Sequence, residues 1–187
     1  MISAPPYSVV AFSGSLRRGS SNTGLVHLAA RLAPPELSIT VVDWVDQLPW
    51  MNPDLESDLP PVVQRWHDMV RAADALLIGM PEYNFGPTGL AKNALDWLTR
   101  PPTDRVINGK HIAFLSSAGR SGGANSQDSM ITILGYLGAT IVAEPPVRLG
   151  AVADRFDADG NTDDPEIIAA VTAKLAALVA SLDARSV

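Results

Sequence analysis

With 187 residues and 47% hydrophobic side chains the chain can bury one sizeable core, so a single domain over residues 1–187 is expected. A formal charge of −6, with the arginines scattered among acidic residues, excludes the basic stripe of a nucleic-acid surface. The chain has no cysteine, which removes disulfides, thiolate nucleophiles and thiolate metal sites and fits a reducing compartment.

Tyr7–Ser13, an apolar run between Pro5-Pro6 and Gly14, reads as a strand buried on both faces. Thr23–Leu32 follows as a helix with Leu25, Leu28, Ala29 and Leu32 at helical spacing, ended by Pro34-Pro35. Ser38–Val42 is a second strand, Asp43–Pro61 a long proline-rich connection, Val62–Ala73 a helix and Ala75–Met80 a third buried strand. Leu90–Leu98 is a helix, His111–Ser116 a strand, Gly123–Leu137 a helix, Thr140–Ala143 a fifth strand and Pro165–Leu182 an Ala-rich last helix. This alternation is that of a parallel sheet covered on both faces. Asp154–Asp164 resembles a calcium loop in composition, but it lacks a Glu at the last ligand position and reads as a solvated turn. Met1–Val10 has no basic segment leading into an apolar one, and no later stretch approaches the roughly 20 apolar residues of a membrane span, so a soluble, cytoplasmic protein is expected.

Three loops follow strands and carry the chemistry. The first, Ser13–Asn22, has the Gly14-to-Gly19 spacing of a P-loop, but Ser20 stands where its Lys would be. What remains is a hydroxyl-rich turn into a helix: Ser15, Ser20, Ser21 and Asn22 as donors and Arg17 or Arg18 as charge. That set suits a terminal phosphate monoester at a helix N-terminus, and equally a plain turn with a Ser or Asn cap. In the second loop, Pro81–Gly89, Pro81 stops the strand, Gly86 and Gly89 allow close backbone approach, and Tyr83 and Phe85 can lie beside a flat ring system. Lys92 and Asp96 are four apart and read as a surface ion pair, and Trp97 as core or subunit interface. In the third loop, Ser116, Ser117, Gly119, Gly122 and Gly123 offer N–H and O–H donors to the electron-rich edge of a reduced flavin, or form a simple glycine turn. His27, His67 and His111 have no second ligand at metal spacing, so no metal site is assigned.

Gly14–Asn22, then Pro81–Asn84 with Lys92–Trp97, then Ser116–Gly123, together resemble the NAD(P)H-dependent FMN reductases of flavodoxin-like fold, a group that includes quinone and chromate reductases and some azoreductases. The resemblance covers roughly residues 7 to 150. It implies a three-layer sandwich with a five-stranded parallel sheet of order 2-1-3-4-5, non-covalent FMN, NADPH or NADH as co-substrate, and a homodimer or homotetramer. It implies that Ser13, Gly14, Ser15, Leu16, Arg17, Ser20 and Asn22 hold the phosphate, that Pro81, Glu82, Tyr83 and Asn84 line the isoalloxazine, and that Ser116 meets its pyrimidine side. Phe85–Thr88 departs from the small-Ser-x-Pro more usual in the group, which bears on the substrate face.

The resulting expectation is an oxidoreductase in which nicotinamide passes hydride to flavin N5 and a small-molecule acceptor (quinone, azo compound, chromate or flavin) then takes the electrons. No side chain needs to act as acid or base. The alternatives are a one-electron flavodoxin-type carrier without nicotinamide activity and a non-redox ligand-binding domain of the same fold.

Overall fold

Residues buried on both faces make the middle of the sheet. In the computed structural model, which describes residues 6–186, β1 (Tyr7–Ser13) lies between β2 (Leu37–Val42) and β3 (Ala75–Gly79), and β6 (His111–Ala118) lies beyond β3. All these pairings are parallel, with Ser13 opposite Gly79 and Gly79 opposite Leu115, so the strands deliver their loops at one edge. Along β1 the side chains alternate: Val10 and Phe12 enter one core layer, Val9 and Ala11 the other.

The first layer is covered by α2 (Pro61–Ala72), α3 (Gly89–Trp97) and α4 (Ala124–Tyr136). Its centre is Trp66, fully buried and edge-on to Phe12 at 5.5 Å between ring centroids. The second layer is covered by α1 (Ser21–Arg31) and α5 (Pro165–Asp183), which bury Leu25, Leu28, Val171 and Leu175 against the sheet. This is the flavodoxin-like α/β sandwich.

The expected fifth strand divides. β7 (Thr140–Ile141) pairs with His111 and Ile112 at the start of β6, and β8 (Val147–Gly150) pairs with Leu115–Ala118 at its end, giving the order β2-β1-β3-β6-β7 with β8 also on β6. A two-stranded hairpin, β4 (Glu82–Tyr83) with β5 (Gly86–Pro87), occupies the second loop. Within the Asp43–Pro61 connection, 3-10 turns form at Val45–Gln47 and Pro53–Leu55. α3 holds this connection: Trp97 Nε1 and Asn93 Nδ2 both donate to the Pro49 carbonyl, at 2.8 and 3.0 Å.

α5 begins on an Asp164 cap that accepts from the N–H groups of Glu166 and Ile167, followed by Pro165. By length and composition α5 also suits a membrane span, which the sequence reading did not anticipate; here Ile167, Val171, Leu175, Leu178 and Leu182 are buried on the sheet. Its Lys174 is buried and donates to the carbonyls of Val142 (2.9 Å) and Ala143 (2.8 Å), and burial pushes the ammonium down to about 8. The expected strand boundary at Pro5 and the Met1–Ala4 part of the leader reading lie outside the described residues.

Candidate cofactor cleft

The loops that follow β1, β3 and β6 converge on a cleft of about 320 Å³. Ser15, Arg17, Ser20 and Asn22 line it from the first loop, Pro81, Glu82 and Tyr83 from the second, and Ser117 and Gly119 from the third. Gly14, Leu16 and Asn84 lie beside it, in an open groove of about 510 Å³ that shares Ser15, Arg17 and Tyr83 with the cleft. Ser13 sits behind the first loop, where its Oγ accepts from the Ser15 N–H at 3.2 Å and the Thr23 hydroxyl at 2.9 Å. Ser116 is fully buried, and its Oγ accepts from Gln127 Nε2 at 2.8 Å, so its hydroxyl points into the core and Ser117 is the serine at the cleft. Phe85 lines neither space and is 80% exposed.

Of the helices that start at this edge, α1 and α4 have N-termini that are treated differently. α4 follows Gly123, whose φ of 91° suits glycine, and the cap residue supplies no side-chain acceptor. The carboxylate of Glu82 fills that role from the second loop. It accepts from Ser121 Oγ at 2.7 Å, Asn125 Nδ2 at 3.1 Å and the Ser126 N–H at 3.1 Å. Partial burial pushes the Glu82 pKa up, but the hydrogen bonds from Ser121, Asn125 and Ser126 outweigh it, and the net shift is downward. Glu82 thus ties the second loop to the third.

α1 starts on Ser20 with no side-chain cap and no acidic residue in its first turn, and no side chain among the described residues accepts from its leading N–H groups. Ser20, Ser21 and Asn22 face the cleft, with Arg17 beside them. Unpaired N–H groups, the positive end of the helix dipole, hydroxyls and a guanidinium form a cradle for an anion. The residues present therefore fit the phosphate of FMN. The third loop fits the ring end: a Cβ built on Gly119 would meet nothing within 4 Å, so the backbone there is open to a flat ligand.

A fourth wall carried no signal in the sequence reading. Ala151, Val152 and Ala153, in the connection from β8 to α5, line the cleft opposite the first loop. Ala151 is anchored by its N–H to the Gly119 carbonyl at 2.8 Å. The Asp154–Asp164 turn also differs from a solvated loop, because Gly160 and Thr162 are buried. Lys92 and Asp96 form the expected ion pair at 2.5 Å, and Trp97 belongs to the core. His27 is exposed, His67 is held at 2.8 Å from the Trp97 carbonyl, and His111 at 2.8 Å from Ser181 Oγ.

Residues 7–154 match the family described as NADPH-dependent FMN reductase. A probable NADPH:quinone oxidoreductase of rice, Oryza sativa subsp. japonica, is 42% identical over 168 residues, covering 85% of this chain and 80% of the relative. An NAD(P)H-dependent FMN reductase of Pseudomonas aeruginosa is 38% identical, covering 91% of this chain and 92% of the relative. Among solved structures, the flavoenzyme NAD(P)H:(acceptor) oxidoreductase FerB of Paracoccus denitrificans superposes with a TM-score of 0.85 at 31% identity, covering 95% of this chain and 98% of that one.

Proposed function

The chain belongs to the NADPH-dependent FMN reductase family, and from that premise we propose that it is a quinone reductase whose nicotinamide donor and acceptor use one open face in turn. Membership makes it an oxidoreductase working with FMN and NAD(P)H. The observation that carries the reading is the uncapped start of α1, left open to an anion beside Arg17, in a cleft that continues through Ser15, Arg17 and Tyr83 into a solvent-facing groove.

FMN, when bound, supplies the two-electron relay between nicotinamide and acceptor. The protein's part is binding and orientation. The leading N–H groups of α1, the Ser15 and Ser20 hydroxyls and Arg17 would hold the phosphate dianion. Pro81–Tyr83 would set one wall for the ring, and the Ser117 hydroxyl with the open backbone of Gly119 would face its polar edge, where donors favour negative charge. The groove beside Tyr83, lined also by Leu16, Pro87 and Leu90, leaves room for a flat, partly apolar second substrate such as a quinone.

Anaerobic addition of NADPH or NADH is expected to bleach the visible flavin band of the purified protein. Steady-state double-reciprocal plots at several fixed quinone concentrations are expected to be parallel, because the first product leaves before the acceptor enters. Intersecting lines would refute alternation on one face. Flavin that dithionite reduces and neither nicotinamide touches would point to an electron carrier instead.

A further inference from the structure

The turn between β8 and α5 presses on the back of the first loop at backbone level. Gly24, in the first turn of α1, lies so close to the Gly160 carbonyl that a Cβ built on it would sit 1.5 Å from that oxygen. A Cβ on Gly160, whose φ is +82°, would come within 2.6 Å of the Ser20 carbonyl. A Cβ on Gly19 would stand 2.0 Å from the carbonyl of Ala158. Only glycine permits these approaches, and they place residues 158–160 directly behind Gly19 and Ser20.

The turn is closed from inside by Asp157. Its Oδ1 accepts from the N–H groups of Asp159 (2.9 Å) and Asn161 (2.8 Å), and its carbonyl accepts from the Gly160 N–H at 3.0 Å. The two ends of the segment are clipped together by Arg155, which donates from Nε to Asp164 Oδ2 at 2.6 Å and from an Nη to Glu166 Oε2 at 2.8 Å. The Arg155 N–H also donates to the carbonyl of Val152, one of the residues on the fourth wall. One short segment therefore sets both the wall at Val152 and the backbone of Gly19–Ser20.

We infer that Asp157 is a positioning residue for the phosphate subsite: by closing the 157–161 turn against Gly19, Ser20 and Gly24 it fixes the distance between the start of α1 and the fourth wall, and so selects a phosphate monoester over an uncharged terminus. The inference rests on the reading that α1 holds the FMN phosphate. Asp157 lines no part of the cleft and touches no ligand; it acts through the Gly160 carbonyl and the α1 backbone.

The test is titration of the flavin-stripped full chain with FMN and with riboflavin, which lacks the phosphate, followed by flavin fluorescence. The wild-type protein is expected to prefer FMN. Asp157→Ala is expected to cut that preference at least tenfold, through weaker FMN and little change in riboflavin, and Asp157→Asn, which keeps an oxygen for the two N–H groups, to restore most of it. Gly160→Ala removes no side-chain hydrogen bond and pushes on the Ser20 carbonyl, so it should shift the same ratio and keeps the idea testable should Asp157→Ala fail to fold. Equal loss of both flavins, or an unchanged ratio in Gly160→Ala with native circular dichroism, would overturn the positioning role. Equal affinity of the wild-type protein for FMN and riboflavin would instead overturn the phosphate reading beneath it.

Discussion

Asn22 and Ser117 hold each other in both directions: Asn22 Nδ2 donates to the Ser117 carbonyl at 2.7 Å, and the Ser117 N–H donates to Asn22 Oδ1 at 3.0 Å. Both residues are buried, with Asn22 only 4% exposed. The amide therefore bridges the first loop to the third and keeps one N–H beyond this pair.

Asn22→Ala leaves both backbone groups of Ser117 without these partners in a buried position. A stability loss of about 1–3 kcal/mol is expected by chemical denaturation, the penalty for an orphaned buried polar group. Because the third loop is released along with the first, FMN and riboflavin should both weaken, in contrast to the phosphate-selective loss expected for Asp157→Ala. Flavin titrations that show full riboflavin affinity in Asn22→Ala would contradict this bridging role.

Glu82 makes stability depend on acid. Its carboxylate pKa is lowered in the folded protein: burial works against this, and the donors Ser121, Asn125 and Ser126 prevail. A lowered folded-state pKa means the contribution is present above the ordinary glutamate value of about 4.3 and is lost as pH falls through the folded value. The melting temperature of the wild-type protein should therefore exceed that of Glu82→Gln at neutral pH and converge on it below about pH 4. A gap that stays constant from pH 7 to pH 3 would mean that the α4 cap does not depend on the charge.

The β4–β5 turn stores strain at an exposed aromatic. Asn84 (φ 52°) and Phe85 (φ 63°) both lie in the left-handed region, as a two-residue hairpin loop of this twist requires. Asn tolerates that region and glycine suits its second position, whereas a bulky side chain there costs about 1–2 kcal/mol. Phe85→Gly is expected to raise stability by about 0.5–1 kcal/mol, since part of the relief is offset by the extra backbone freedom of glycine when unfolded. If Phe85 flanks the acceptor, KM for bulky quinones should rise while FMN affinity holds. A variant of lower stability would contradict the strain, and one that loses FMN with quinone KM unchanged would remove Phe85 from the substrate face.

Strands buried on both faces were legible because Tyr7–Ser13, Ala75–Gly79 and His111–Ala118 are continuous apolar runs ended by glycine, proline or serine. β8 was not, since Arg148 interrupts its pattern and it pairs only with the end of β6. The choice between Ser116 and Ser117 turned on strand length: β6 runs to Ala118, past the expected end at Ser116, and the alternation of its faces turns Ser116 toward α4. Three walls of the cleft announced themselves by hydroxyls, glycines and aromatics. The fourth is made of Ala151–Ala153, whose side chains have no polar chemistry, and its buttress is a backbone contact of Gly24 with Gly160 that leaves no side-chain pattern.

The division of labour along β6 also governs how the last two strands are held. Its early residues pair with β7 and its late ones with β8, while residues 143–146 between those two strands join neither ladder. Val147–Gly150 are also held from outside the ladder, since Gln127 Nε2 donates to the Val147 carbonyl at 2.9 Å and Arg148 Nε donates to Gln127 Oε1 at 3.1 Å, whereas the carbonyls that follow Thr140–Ile141 accept from Lys174. The wall that β8 delivers to the cleft is thus tied through Gln127 to α4, the helix whose start Glu82 caps, so the second, third and fourth sides of the cleft share one frame.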